Sequence, residues 1–166
     1  MNDEQPRRKV RVDLEELRFA MENASYEQRY FLDTETGDVI LASEMFGDEE
    51  TQRQLTEIDE AEPGRYLQVP RADSREGYDD MQDFIDTVSD EHLQELLNVA
   101  IQGRGAFRRF KDVLAGHPAE RQRWFDFQVA RLDARAREWL AEEGCEPAWP
   151  RAHRRRITGE DYSNSD

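Results

Sequence analysis

The sequence predicts an α+β domain in which a small antiparallel sheet, a hairpin plus a third strand, is followed by a C-terminal helical bundle. Three observations predict it. Two strand-like runs flank a glycine turn within residues 29–43; a third run, RYLQVP, stops at Pro70; and from Tyr78 to about residue 143 apolar residues recur at three- and four-residue spacing. A chain of 166 residues with 37% apolar content has room for one such domain with a modest core. The expected organisation is a flexible N-terminus over residues 1–11, a single domain over 12–149 and a flexible tail over 150–166.

Each element has a local reason. Val12 and Asp13 open the first helix, where Leu14, Leu17, Ala20 and Met21 share a face and Asp13 with Glu16 has capping-box spacing. Tyr30, Phe31 and Leu32 form one arm of the hairpin and Val39, Ile40 and Leu41 the other, with Gly37 supplying the positive φ of the turn. Residues 44–62 are acidic and hold only Leu55 and Ile58 at helical spacing, so a short amphipathic helix and a loop both fit. Pro63 and Gly64 punctuate before the third strand.

In the helical part, Tyr78, Met81, Phe84, Ile85 and Val88 form one stripe. Ser89 or Asp90 caps the next helix, whose stripe is Leu93, Leu96, Leu97, Ala100 and Ile101. The GRG at 103–105 interrupts it, Ala106 to Leu114 form a third helix, and Gly116 with Pro118 stop and restart the chain. A last helix over 118–143 carries Phe125, Val129, Leu132, Ala136, Trp139 and Leu140, and Gly144 provides a left-handed cap. No internal repeat is present.

Charge is unevenly distributed. The formal net charge is -15, yet residues 1–100 hold 10 basic and 27 acidic side chains, whereas residues 101–166 hold 13 basic and 11 acidic. The first part is therefore strongly acidic and the second close to neutral, a pattern that suits either mutual attraction or two surfaces for two partners. No hydrophobic span approaches the roughly 20 residues of a membrane helix, and the start MNDEQPRRKVR lacks a signal-peptide pattern. The single cysteine, Cys145, allows no internal disulfide. A cytoplasmic location without a membrane partner is the expectation.

Enzyme signatures are scarce. His92, His117 and His153 have no metal-ligand spacing, and no P-loop, G-x-S-x-G or strand-borne G-x-G-x-x-G occurs. Cys145 follows a helix end, where the macrodipole disfavours thiolate. The turn DTETGD places Asp33, Glu35 and Asp38 loosely as in a calcium loop, but lacks its twelve-residue frame and closing glutamate. No catalytic residue, metal or cofactor is assigned.

Two charged rows are candidates for contact. Asp79, Asp83 and Asp86 fall at i, i+4 and i+7 on one helix face, which suits a basic protein partner or a solvated surface. Arg104, Arg108 and Lys111 share another face, with Arg109 to one side, while Phe107, Phe110 and Leu114 point inward. Residues 101–137 hold 9 basic against 4 acidic side chains, and Arg151, Arg154, Arg155 and Arg156 follow in the tail. These arginines suit an internal clamp on the acidic first part, a phosphate backbone, or a partner protein.

The segments DSREGYDDMQDFIDTV, GRGAFRRFKDVL, ERQRWFDFQ and REWLAEEGCEP together resemble an uncharacterised bacterial protein family of the UPF type, over roughly Val12 to Trp149. The most specific portion is F-R-x-F-K-D with W-x-x-F a dozen residues on: Phe107, Arg108, Phe110, Lys111, Asp112, Trp124 and Phe127. The resemblance implies a bacterial origin and a shared fold, and transfers no activity. Read physically, Phe107, Phe110, Trp124 and Phe127 lie on two helices joined by AGHP and are expected to interlock, with Asp112 positioned to pair with Arg108. The expected function is binding or regulation through charged surfaces, led by a protein partner at the acidic face of Asp79, Asp83 and Asp86. Nucleic-acid binding through Arg104, Arg108, Arg109 and Lys111 is the alternative, and a hydrolase built on a carboxylate pair a third.

Overall fold

A computed structural model describes residues 7–43 and 47–148. Aspartates write most of the helix starts. Asp13, Asp48, Asp73 and Asp90 stand in extended conformation before α1 (Leu14–Asn23), α2 (Glu49–Glu60), α3 (Ser74–Asp86) and α4 (Glu91–Ala100), and each side chain accepts at least one backbone N–H of the first turn. Of the two candidate caps, Asp90 is the one used. α5 (Ala106–Ala115) instead starts from Gly105 in the left-handed region, and α6 (Pro118–Glu142) from Pro118, whose missing N–H costs nothing there. The ambiguous acidic stretch resolves as α2, a helix that buries no residue completely.

The sheet has the expected strands. β2 (Gln28–Asp33) pairs antiparallel with β3 (Val39–Ser43) on one side and β4 (Tyr66–Gln68) on the other. Gly37 has φ +82°, and an added Cβ would sit 1.6 Å from the Arg11 carbonyl oxygen. The turn thus presses on the chain entering α1, and only glycine fits both the angle and the space. Arg8–Val10, within the segment expected to be flexible, form β1, which pairs parallel with β5 (Cys145–Pro147) and puts Arg8 opposite Cys145. Val10 and Val12 are fully buried.

Two hydrophobic cores result. One gathers Val10, Val12, Leu17, Met21, Leu32 and Val69 with Ala136, Trp139, Leu140 and Cys145. The other gathers Met81, Phe84, Ile85, Leu97, Phe110, Leu114 and Trp124 within the helical part. α6, about 37 Å long at 1.5 Å per residue, serves both: Trp124 enters the helical core, and Ala136, Trp139 and Leu140 enter the other.

Four expected core residues lie elsewhere, the first being Leu96 of α4, which keeps 41% exposure. α6 buries Trp124, Leu132, Ala136, Trp139 and Leu140, while Phe125 and Val129, which share a side of the helix with Leu132 and Ala136 but lie about two turns nearer its start, each keep 41% exposure. Phe107 keeps 42% exposure, its ring lying across Gly77 of α3, where an added Cβ would come within 3.0 Å of it. Phe84 takes the place expected of Phe107 in the aromatic interlock, edge-on to Phe110, Trp124 and Phe127, with Phe110 and Trp124 centroids 4.8 Å apart. Asp112 forms no ion pair with Arg108 among the described residues.

Candidate functional site

Between the two cores runs an open cleft of about 1030 Å³, walled by the end of α1, the loop 70–73 with the start of α3, one face of α5 and a long face of α6. α6 gives it Phe125, Val129, Leu132, Arg135, Trp139 and Glu142, a stripe at three- and four-residue steps. Phe107, Phe125 and Val129 line one stretch of the cleft, and Leu132 and Trp139, nearly buried, continue the apolar surface. Carboxylates of Glu22, Asp73, Glu76, Glu138 and Glu142 stand around it, on exposed residues.

The polar anchor of the cleft is Asp80, which is 3% exposed. Arg135 donates to both its oxygens at 2.7 Å, a bidentate pairing across α3 and α6, and its Nε lies 3.2 Å from the Glu76 carboxylate. Burial works against the Arg135 charge, but the hydrogen bonds to Asp80 and the charges of Asp80, Glu76 and Asp79 outweigh it and hold the guanidinium above the ordinary arginine range. Arg131 adds a second clamp to Asp83 at 3.0 Å, and Arg18 of α1 reaches Asp133 of α6 at 2.6 Å. Arg123 donates to Thr87 Oγ1 at 2.7 Å, tying α6 to the end of α3.

Neither Asp80 nor Arg135 stood out in the sequence, although a signal existed. Asp80 is four and eight residues before Phe84 and Val88, a charge on the buried stripe; Arg135 lies between Leu132 and Trp139 in the same way. An isolated acid on one apolar stripe and an isolated arginine on another are a candidate buried pair.

The expected contact residues separate into groups. Asp79, Asp83 and Asp86 are all exposed on α3, with Asp83 engaged by Arg131. The clamp on the acidic first part exists, but Arg131 and Arg135 of α6 form it. Arg104, Arg108 and Lys111 are exposed and make no ion pair among the described residues, and Lys111 lines the cleft. Arg109 differs: its guanidinium donates to the carbonyls of Ala100, Gln102 and Arg104, closing the turn from α4 to α5. Asp33 accepts from the Glu35 and Thr36 amides and faces Arg65, so the DTETGD segment is a side-chain-braced turn. Among the described residues no group of His, Cys, Asp and Glu is placed to hold a metal ion, and no helix is long and apolar enough to cross a membrane. His153 and the arginines of the tail lie outside the described residues.

Comparison with known proteins agrees with the resemblance carried by the F-R-x-F-K-D and W-x-x-F segments. Residues 8–153 match the uncharacterised protein family UPF0158. Over 141 residues the chain is 32% identical to UPF0158 protein PA5073 of Pseudomonas aeruginosa, an alignment covering 85% of this chain and 88% of that relative. No solved structure matches. The chain therefore belongs to the UPF0158 family.

Proposed function

We propose that this protein acts by binding another protein at its acidic surface, and that the cleft between the two cores is a principal place of contact. The observation that supports this reading is the exposure of Phe107, Phe125 and Val129, 41–42% each, inside an opening surrounded by carboxylates. Apolar surface left open in a concave, charged setting is what a partner's side chains bury on association. Asp79 and Asp86, exposed on the same α3 whose start walls the cleft, extend the acidic surface outward, and Asp83 shares its charge with Arg131. Affinity capture from the native host tests the reading. Proteins retained by the wild type should be lost from a Phe107→Ser/Phe125→Ser chain and weakened by Asp79→Asn/Asp86→Asn; identical capture by all three chains overturns it.

A second reading has its own observation. Arg104, Arg108 and Lys111 are exposed and without ion pairs among the described residues, beside Gly103 and Gly105, a surface suited to phosphates. Its cations number three, since Arg109 is committed to the turn. A salt-sensitive gel shift with RNA or DNA that disappears on changing the three supports it, and no shift at low salt rules it out. The hydrolase reading has less support, because Glu76 and Asp80, two cleft acids on one face of α3, are both held by Arg135.

A further inference from the structure

We propose that the cleft between the two cores is a docking groove for a basic, amphipathic α-helix of the partner protein, an inference that rests on the protein-binding reading above. Shape is the first ground. Phe125, Val129, Leu132 and Trp139 follow one another along α6 at steps of four, three and seven, an apolar line about 21 Å long at 1.5 Å per residue. That is the spacing with which a second helix lays its own i, i+3 or i+4, and i+7 side chains against a neighbour. A helix segment of that length and about 10 Å diameter occupies about 1,600 Å³, so a cleft of about 1030 Å³ receives somewhat more than half of it and leaves its outer face in water.

Charge is the second ground, and it fixes the chemistry of the occupant. Glu22, Glu76, Glu138 and Glu142 line the cleft. Its three cations, Arg135 paired with Asp80 and Glu76, Arg71 stacked 3.5 Å over the Tyr26 ring, and Lys111, face six carboxylates, those four with Asp73 and Asp80. The opening is therefore negative around an apolar line. A helix with leucine-like residues on one face and lysine or arginine at its flanks satisfies both features, whereas an acidic helix meets repulsion on either side.

The test uses the full chain and a fluorescein-labelled peptide of about 18 residues, some 27 Å as a helix, made of leucine, lysine and alanine with leucines at i, i+3 or i+4, and i+7. A scrambled peptide of the same composition measures bulk attraction to a chain of net charge -15. The patterned peptide is expected to bind at least tenfold more tightly than the scramble. Phe125→Ser and, separately, Glu138→Lys/Glu142→Lys are each expected to remove that preference while helicity by circular dichroism stays as in the wild type.

Equal binding of the two peptides, or an undiminished preference in both variants, overturns the proposal. So does a tenfold rise in peptide affinity for an Arg154→Glu/Arg155→Glu/Arg156→Glu chain, which assigns the cleft to the chain's own tail. Self-association in sedimentation that Phe125→Ser abolishes assigns it to a second copy and overturns it as well. Should the peptide fail while Phe125→Ser still loses the captured partner, protein binding stands and only the basic helix falls; if capture is unchanged too, both fall.

Discussion

In the core around Phe84 every buried residue lies between Met81 and Trp124; in the core around Leu17 they come from Val10 to Val69 and again from Ala136 to Cys145. The first core is assembled from consecutive helices joined by short turns, and each contact closes a short loop. The second needs the two described ends of the chain to meet, Arg8 beside Cys145, across almost the whole domain. Short closures cost less chain entropy than long ones, so a local core stands on its own sequence segment while the other depends on everything between. Their composition differs in the same sense. The helical core locks with four aromatic rings, Phe84 and Trp124 each touching the other three, and the sheet-bearing core is mainly aliphatic, with Tyr30 and Trp139 at its margins. α6 is the piece they share, which makes their independence a question for experiment.

The most severe way to break the comparison is truncation inside each core. Trp124→Ala is expected to cost about 3 to 5 kcal/mol and Leu140→Ala about 2 to 5, enough in either case to unfold a domain of ordinary stability. Because both residues ride on α6, each variant should lose both cores in one calorimetric transition. Two separated transitions show the cores to be independent, and a wild-type melting curve for Trp124→Ala removes it from the core.

The α3 to α6 clamp between the cores comes next. Arg135→Leu leaves buried Asp80 with Arg131 alone, 3.9 Å away, a loss of about 2 to 3 kcal/mol, below the range for fully buried pairs because Arg131 remains and the Arg135 side chain keeps 23% exposure. Asp80→Leu/Arg135→Leu should recover most of it in urea titrations. A double variant as unstable as the single one shows that the loss does not come from the orphaned Asp80 charge.

Smaller still is the cleft wall. Phe125→Ser should shift stability by no more than about 0.5 kcal/mol, as at other exposed positions, and a loss like that of Trp124→Ala puts Phe125 back in the core. The last effect concerns α2, which belongs to neither core. Hydrogen bonding from the Thr51 side chain, then from the Thr51 backbone, holds the Asp48 carboxyl below the ordinary aspartate value. Its folded value being the lower one, the cap's contribution is present above about pH 4 and disappears as pH falls through the depressed value. The Thr51 amide followed by NMR should report that step below the ordinary aspartate range, and Asp48→Asn should abolish it.

The helical core was legible because its signals are local. The stripe Met81, Phe84, Ile85, the GRG break, Pro118 and the aspartate caps each act within a turn or two of themselves. The hairpin was legible for the same reason. The candidate site was legible only in part: the exposure of Asp79, Asp83 and Asp86 follows from their helical row, whereas the cleft does not, because Phe125 and Val129 match a core stripe as well as a groove. Spacing tells which residues share a face, and only packing tells which face finds a neighbour.

By itself the sequence determined the α+β class, the order and ends of most elements, the glycine at the hairpin turn, the acidic first part and the family. The tertiary structure decided the rest: that Arg8–Val10 pair with Cys145–Pro147, that Phe84 and not Phe107 completes the interlock, that Arg135 meets Asp80, that Arg109 closes a turn, and that a cleft opens between the cores. The physical reason is range. Propensity, capping and periodicity are set within a few residues along the chain, while strand partners, ion pairs across helices and unfilled space are set by segments tens of residues apart that meet only when the whole chain is folded.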